Sequence, residues 1–248
     1  MTVATGGNQT AGGETPWTTR VAAFFSRTLE ASLVGRVIRL LEVVDSTSLE
    51  ARRMAESGCP LSGTAVLARE QTAGRGRLGR RWISAPDMGV YLSLLFAVAA
   101  DVPLLRDAAL LAMAGTVAVC RALEERGLTG VAIKRPNDIL AQGRKIAGVL
   151  VEVPPASRGV RYQILGVGIN VSHPAEFWSQ GDWKVYPVSL EELGISVPPD
   201  EVACAFLNQM DRLVREPEGG ADRVVETAWS ELSGRAAPPN PGEVIKGP

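Results

Sequence analysis

The alternation of apolar and polar residues predicts strands and helices along most of the chain. We expect strands at 37–43, 64–68, 89–97, 131–133, 144–152 and 162–171. We expect helices at 18–33, 49–57, 104–127, 189–193, 200–215 and 221–232. Gln142-Gly143 lies between two apolar segments and is typical of a hairpin turn. This mixture predicts an α/β (α+β) fold, in which helices flank a mixed β-sheet.

Three segments are expected from the composition along the chain. Residues 1–17 are rich in Gly and Thr, lack the pattern of a signal peptide and predict a disordered tail. Residues 18–235 form the main domain, and residues 236–248 a proline-rich linker followed by the start of a further element. The longest apolar run, 108–120, is too short to cross a bilayer.

Net charge, cysteine count and histidine count limit the classes of function that the chain can have. The net charge is −1, so no overall field attracts the chain to nucleic acid or to a membrane. Cys59, Cys120 and Cys204 are odd in number and far apart, which argues against a disulfide framework and fits a reducing cytoplasm. His173 is the only histidine. This excludes mechanisms that need a pair of histidines and argues against a histidine-based triad.

The segment 71–82, Gln-Thr-Ala-Gly-Arg-Gly-Arg-Leu-Gly-Arg-Arg-Trp, alternates glycines with arginines. Glycine allows a ligand to approach the backbone, and arginine offers a fork of donors that fits carboxylate or phosphate. Such a loop suits a small anion, and we expect it to be mobile when empty because its arginines repel one another. Taken alone, it could equally be a solvated basic turn or a contact for nucleic acid.

Hydroxyl groups open the second predicted helix. Ser46, Thr47 and Ser48 lie where the chain enters this helix, after Asp45. Asp45 or Ser46 could simply cap the helix, which is the more common use of such residues. The functional alternative is that the hydroxyls and the helix N-terminus bind a polar ligand.

Two later strands end or begin in chemically useful residues. Lys134, Asn137 and Asp138 follow a short strand, and Lys145 lies early in the strand after the hairpin. Ligands often bind at strand ends in α/β proteins, although turn chemistry and an exposed strand lysine explain the same residues. The strand at 162–171 contains two glycines and ends near Asn170. Glycines there indicate a ligand lying against the backbone, a bulge or tight packing.

The order of these motifs is more specific than any one of them. Asp-Ser-Thr is followed by Gly-Arg-Gly-Arg-x-Gly-Arg-x-Trp, Lys-x-Pro-Asn-Asp, Gly-Arg-Lys-x-x-Gly-x-x-x-Glu and Gly-x-Gly-x-Asn. Over about 37–232 this order resembles the catalytic domain of bacterial biotin–protein ligases, whose fold the chain should share. Lipoate ligases resemble it less, because they lack the arginine-rich loop.

The resemblance implies a two-step reaction. Biotin and ATP would form biotinyl-5′-AMP and pyrophosphate, and a lysine of the biotin carboxyl carrier protein of acetyl-CoA carboxylase would then take the biotinyl group. Both attacking groups belong to substrates, so the protein has to supply positioning and positive charge. Mg²⁺ would enter mainly on the ATP phosphates, with Asp138 as its candidate protein ligand.

The resemblance also implies roles for individual residues. Those implied for biotin are Ser46, Thr47, Ser48, Gln71, Gly74, Arg75, Gly76, Arg77, Lys145, Gly148, Gly166 and Gly168. Those implied for ATP are Arg77, Arg80, Lys134, Asn137, Asp138, Lys145 and Asn170. Lys145, Arg77 and Arg80 would be catalytic, since they stabilise the charge that develops as two anions meet.

The sequence departs from the family pattern in three places. Arg135 stands where the family usually has Trp, no helix-turn-helix segment precedes residue 37, and the family's C-terminal SH3-like barrel is largely absent after 243. A DNA-binding role is therefore not expected, and a homodimer is compatible with the resemblance. Two alternatives stay open, namely a lipoate or octanoate ligase and a non-catalytic binder of biotin or nucleotide.

Overall fold

The computed structural model describes residues 2–5, 15–58, 60–98, 102–179, 183–216 and 220–235. Within them, eight strands form one sheet. The strands are β1 Thr2–Thr5, β2 Val37–Val44, β3 Thr64–Gln71, β4 Gly89–Ala97, β5 Ala132–Lys134, β6 Asp138–Ala141, β7 Arg144–Glu152 and β8 Tyr162–Asn170. Their order is β1-β2-β3-β4-β8-β7-β6-β5. β1, β2 and β3 are parallel and all other pairs antiparallel, so the predicted mixed sheet is confirmed.

Helices cover the two faces of the sheet unequally. The described helices are α1 Pro16–Thr28, α2 Thr47–Ser57, α3 Ala108–Glu125, α4 Pro199–Val214 and α5 Ala221–Gly234. The large hydrophobic core lies between one face and α1, α3, α4 and α5. A smaller core lies on the opposite face, where α2 packs on β3, β4 and the beginning of β8. That opposite face is called the α2 face below.

Glycines leave part of the α2 face open. Ile164 in β8 packs in the small core, and the next residues of this strand on the same face are Gly166 and Gly168. Gly168 pairs with Gly148 of β7 in register. Because these three glycines carry no side chains, the strands leave space on the α2 face beside the N-terminus of α2.

The predicted N-terminal tail is wrong in two places. Thr2–Thr5 forms β1, which pairs with β2 from Val37 to Leu40. Helix α1 starts at Pro16, where Thr15 and Thr18 form a reciprocal capping box. Strand β1 forms because it pairs with the distant strand β2. A segment of four residues does not show such a pairing in its own sequence. Residues 6–14 lie outside the described residues, as does Cys59.

Most other boundaries agree within a few residues. The hairpin turn is confirmed, because Gln142 and Gly143 both have positive φ, 50° and 74°. The helix predicted from 104 begins at 108, since Asp107 accepts a hydrogen bond from the Ala109 N–H and caps it. The helix predicted at 189–193 is only a 3₁₀ turn at Glu191–Leu193. The linker and final element predicted at 236–248 lie outside the described residues.

None of the helices in the described part of the chain is long and apolar enough to span a membrane.

A buried carboxylate holds the turn between α1 and β2. Asp211 of α4 is 3% exposed and accepts hydrogen bonds from the N–H groups of Ser32, Leu33 and Val34, at 3.1, 2.7 and 2.9 Å. We expect Asp211→Ala to destabilise the protein by about 2 kcal/mol, because three donors lose a charged acceptor. Urea unfolding measures the change.

The control separates these bonds from an ion pair. Arg215 lies 3.5 Å from Asp211 and its side chain is 56% exposed. Arg215→Ala should cost less than about 0.5 kcal/mol. Equal effects of the two variants would contradict the proposed role of the hydrogen bonds.

Candidate active site

A cavity of about 370 Å³ opens on the α2 face, where the glycines of β7 and β8 carry no side chains. It brings together residues from α2, β3, the Gly/Arg segment, β7 and β8. The predicted site residues that line it are Ser46, Thr47, Ser48, Gln71, Arg75, Gly76, Arg77, Arg80, Asn137, Asp138, Lys145, Gly148, Gly166, Gly168 and Asn170. Thus motifs about 120 residues apart in the sequence share one cavity.

One end of the cavity is lined by hydroxyl and amide groups. The Thr47 N–H donates to Oε1 of Gln71 at 2.9 Å, and Nε2 of Gln71 donates to Oγ of Ser84 at 2.8 Å. These two contacts fix which way the amide of Gln71 points. Thr47 and Ser48 are buried at the N-terminus of α2, and their hydroxyls point to a third hydroxyl, that of Ser93.

Helix capping was the simpler interpretation of this segment, but the hydroxyls do not cap α2. Ser46 occupies the N-cap position, but its side chain makes no capping hydrogen bond. Asp45 accepts a hydrogen bond from the Ser46 N–H and forms an ion pair with Arg53. The Arg53 guanidinium and that backbone N–H outweigh the opposing effect of burial, so that the pKa of Asp45 lies below its usual value.

The opposite end of the cavity is centred on Lys145. Its Nζ donates to Oδ1 of Asp138 at 2.6 Å and lies 5.5 Å from the centroid of the Trp82 ring. Lys145 and Asp138 are both largely shielded, with side-chain exposures of 24% and 21%. Asn170, 4% exposed, donates to the Lys145 carbonyl and to the Val188 carbonyl. The side chain of Asn170 therefore links the backbone of Lys145 to that of Val188.

The Gly/Arg segment folds back on itself. The Gly76 N–H donates to the Arg80 carbonyl at 2.7 Å, and the Trp82 N–H donates to the Gly74 carbonyl at 2.9 Å. Leu78 at its tip is 88% exposed and has a positive φ of 57°. The segment is thus a small hairpin over the cavity, which we call the Gly/Arg hairpin.

Most arginines of this hairpin are bonded to other groups of the protein. Arg75 forms an ion pair with Glu152 at 3.0 Å, and Arg77 donates to Oδ1 of Asn137 at 2.9 Å. Arg81 donates to the Thr72 carbonyl at 2.6 Å. The mutual repulsion from which mobility was expected is therefore offset by these partners, and an entering anion has to compete with them.

The indole of Trp82 covers the glycines of the cavity floor. A Cβ placed on Gly168 would lie 2.3 Å from Cε2 of Trp82, and one on Gly148 would lie 3.4 Å from Cζ3. The Trp82 Nε1 is buried without a hydrogen-bond partner in the described residues. Gly168 is thus required for the close approach of the Trp82 indole, whereas a Cβ on Gly148 would lie at ordinary contact distance from Trp82 and 3.3 Å from Cε and Nζ of Lys145.

Two predicted site residues do not line the cavity. A Cβ on Gly74 would lie 2.4 Å from the Trp82 carbonyl oxygen, so this glycine serves the close packing of the hairpin. Lys134 is exposed at the end of β5. Arg135, the departure from the family pattern, also points away. Its guanidinium lies 4.5 Å from the Trp229 ring centroid and donates to Ser233, which ties the motif to α5.

Sequence reasoning missed one wall of the cavity. Trp178, Trp183 and Lys184 line it and come from the segment predicted as a long polar loop. The backbone of this loop pairs with the start of β7, since the Lys145 N–H donates to the Tyr186 carbonyl and the Val188 N–H to the Lys145 carbonyl. Its tryptophans were the available signal, because large aromatic residues are unusual in a solvated loop.

Comparison with known proteins identifies the family of the chain. The model of the biotin/lipoate A/B protein ligase family matches residues 40–170, more than half of the chain. A biotin–[acetyl-CoA-carboxylase] ligase of Paracoccus denitrificans is 32% identical over 207 residues, which are 81% of this chain and 82% of that protein. A bifunctional ligase/repressor BirA of Bacillus subtilis is 39% identical over 150 residues, or 60% of this chain. The chain spans only 45% of the length of that relative.

Solved structures give the same result. The biotin protein ligase of Leishmania major in complex with biotin has a TM-score of 0.63 at 27% identity, covering 79% of this chain and 80% of that one. The biotin protein ligase of Aquifex aeolicus in complex with biotin and ATP has a TM-score of 0.61 at 28% identity, covering 79% and 78%. The chain belongs to the biotin/lipoate A/B protein ligase family.

The single histidine yields a prediction for pH. His173 is fully buried against Phe177 and Trp178, and this burial lowers its pKa to about 4, while Glu192 acts weakly in the opposite direction. In the unfolded chain the imidazole has its ordinary pKa of about 6.5 and takes up the proton first. The contribution of His173 to the free energy of unfolding is therefore fully present above pH 6.5 and is lost as the pH falls towards 4.

We expect the free energy of unfolding to drop by about 2 kcal/mol between pH 7 and pH 5. Nuclear magnetic resonance of the one imidazole ring measures the pKa directly, and urea unfolding at both pH values measures the loss. A His173→Gln variant is the control and should lose this dependence. A ring pKa near 6.5 in the folded protein would contradict the prediction.

Proposed function

We propose that this chain is a biotin–protein ligase. It activates biotin with ATP to biotinyl-5′-AMP and transfers the biotinyl group to a lysine of the biotin carboxyl carrier domain of acetyl-CoA carboxylase. The observation that carries the proposal is that one cavity joins a hydroxyl- and amide-lined end to a cationic end centred on Lys145. A polar headgroup at one end of the acid and a carboxylate at the other fit this arrangement.

The hydroxyl end favours biotin among the acids that this family uses. The ureido group of biotin offers a carbonyl acceptor and two N–H donors, which suit Thr47, Ser48 and Gln71. The dithiolane ring of lipoate and the alkyl end of octanoate offer no such groups. Binding them would leave buried polar groups without partners, and sites built for hydrogen bonding discriminate strongly against such ligands.

The cationic end suits adenylation. A biotin carboxylate oxygen attacks the α-phosphorus of ATP, the bond to the bridging oxygen breaks, and pyrophosphate leaves. Two anions must approach each other, so fixed positive charge lowers the barrier. Lys145 would lie between the biotin and the nucleotide, and Arg77 and Arg80 lie on the Gly/Arg hairpin. All three cations belong to the protein, and no protein nucleophile is required.

Transfer follows at the same carbon. The ε-amine of the carrier lysine attacks the acyl carbon of biotinyl-5′-AMP, and AMP leaves with the electron pair of the broken C–O bond. The mixed anhydride must be kept from water until the lysine arrives. The Gly/Arg hairpin, Trp82 and Trp183 surround the cavity and would exclude water there.

We assign the nucleotide to the side of the cavity that carries Asn137, Asp138, Lys145 and Asn170. Asp138 is the only carboxylate among the described residues that line the cavity, and no group of three metal-binding side chains occurs in the described part of the chain. A Mg²⁺ ion bound chiefly through phosphates, with one carboxylate, fits this donor set. When bound, Mg²⁺ would neutralise phosphate charge. Lys134 does not line the cavity, so its role in ATP binding stays a prediction.

The remaining expectations stay predictions. They are a cytoplasmic location, the absence of DNA binding and a homodimer. The alternatives from the same site are a lipoate or octanoate ligase, since the family includes lipoate enzymes, and a non-catalytic binder of biotin or nucleotide.

Exchange of labelled pyrophosphate into ATP tests the proposed function. We expect exchange that depends on biotin, with lipoate and octanoate giving at most a few per cent of that rate. The acids are compared in parallel with the full chain and Mg²⁺. Exchange with another acid would move the protein to the alternative ligase class. Biotin binding by calorimetry without exchange would support the non-catalytic binder.

Arg77 should control retention of the intermediate. We expect Arg77→Gly to bind biotinyl-5′-AMP about tenfold or more weakly, because a charge-assisted contact is lost. Released biotinyl-5′-AMP would then label unrelated proteins, which streptavidin blotting detects. Arg106→Gly, an exposed arginine outside the cavity, is the control. Unchanged adenylation with no added labelling would show that the role assigned to Arg77 is wrong.

A further inference from the structure

Ser93 is a polar residue in the middle of an apolar strand. Strand β4 reads Gly-Val-Tyr-Leu-Ser-Leu-Leu-Phe-Ala, and Ser93 has no exposed surface. It does not line the cavity. A hydroxyl removed from water has to find its hydrogen bonds within the protein. The partners of Ser93 therefore indicate why this position is polar.

Both partners are hydroxyls of the cavity wall. Oγ of Ser93 lies 2.8 Å from Oγ1 of Thr47 and 3.0 Å from Oγ of Ser48. Gly166 of β8 pairs with Ser93, and a Cβ on Gly166 would lie 2.9 Å from Oγ of Ser48. The packing of β4 against β8 thus leaves just enough space for three hydroxyls beside one glycine.

Three hydroxyls provide three protons, and the fixed amide of Gln71 limits how they are arranged. Oε1 of Gln71 lies 3.2 Å from Oγ1 of Thr47. When Ser48 donates to Ser93, Ser93 to Thr47 and Thr47 to Gln71, Ser48 offers only lone pairs to a ligand. When Thr47 donates to Ser93 and Ser93 to Ser48, the proton of Ser48 is free for a ligand. Ser93 links these two states, because it donates to one neighbour and accepts from the other.

We propose that Ser93 is a positioning residue for recognition of the ureido group, acting through the hydroxyls of Thr47 and Ser48. The inference rests on the proposed function and specifies its ligand. A urea presents both a carbonyl acceptor and N–H donors. A hydroxyl pair whose protons can reverse through Ser93 can adjust to either group while the oxygens stay in place. An acid with a dithiolane or alkyl end makes no use of this relay.

The test compares Ser93→Ala and Ser93→Cys with the wild type. Calorimetry gives the Kd for biotin, and pyrophosphate exchange gives KM for biotin, KM for ATP and kcat. We expect Ser93→Ala to raise the Kd and KM for biotin about tenfold or more, with KM for ATP changed less than about twofold. Ser93→Cys keeps a weaker hydrogen-bonding group, so its Kd and KM for biotin should lie between those of the wild type and of Ser93→Ala.

Thr116→Val is the matched control. Thr116 is also fully buried, but its hydroxyl donates only to the Met113 carbonyl within α3. This variant should leave both KM values unchanged. If Ser93 served packing alone, Ser93→Ala would lower Tm and change both KM values together, or change neither.

Failure of this proposal can be told from failure of the proposed function. Wild type that binds biotin, with Ser93→Ala binding it equally well within about twofold, would overturn the role of Ser93 and leave the ligase intact. Wild type that neither binds biotin nor supports exchange would overturn both. Should Ser93→Ala fold poorly, Ser93→Cys decides, because it fills the position and keeps a weaker hydrogen-bonding group there.

Discussion

Three glycines on two neighbouring strands create the space on which the site depends. Gly166 and Gly168 of β8 and Gly148 of β7 face the side of the sheet that α2 covers only in part. A Cβ would collide with Trp82 at Gly168 and with Ser48 at Gly166, and at Gly148 it would crowd the end of Lys145 at 3.3 Å. The cost to the sheet is a weaker pair of strands. Dense pairing of β8 with both β4 and β7 over nine and six residues offsets it.

Carboxylates and an amide oxygen of the protein hold the cations of the site in position. Lys145 is bonded to Asp138, Arg75 to Glu152 and Arg77 to Asn137. Each bond positions a cation over the cavity, yet most lie at partly exposed side chains, where an ion pair contributes little to stability. Phosphate or carboxylate oxygens can therefore replace these partners at small cost. The same bonds explain why a run of arginines can fold into a hairpin without being driven apart.

The two ends of the site differ in the groups that line them, since one end has hydroxyl and amide groups and the other has cations. The hydroxyl end is buried and bonded through Gln71, Ser84 and Ser93, so its geometry is fixed by a network with few alternatives. The cationic end is carried by the Gly/Arg hairpin and by the start of β7, where the side chain of Asn170 donates to the Lys145 carbonyl.

The order of motifs determined the family, because residue types and their spacing are read directly from the sequence. Periodicity likewise placed β3, β4, β8 and the hairpin turn, since these elements show their pattern within a few residues. Tertiary structure alone decided which side chains meet. It paired Thr2–Thr5 with β2, turned Gly74 and Lys134 away from the cavity, and brought Trp178 and Lys184 into it. It also joined Ser93 to Thr47 and Ser48 over more than 40 residues, because contacts between distant segments depend on strand order and register, which no local pattern carries.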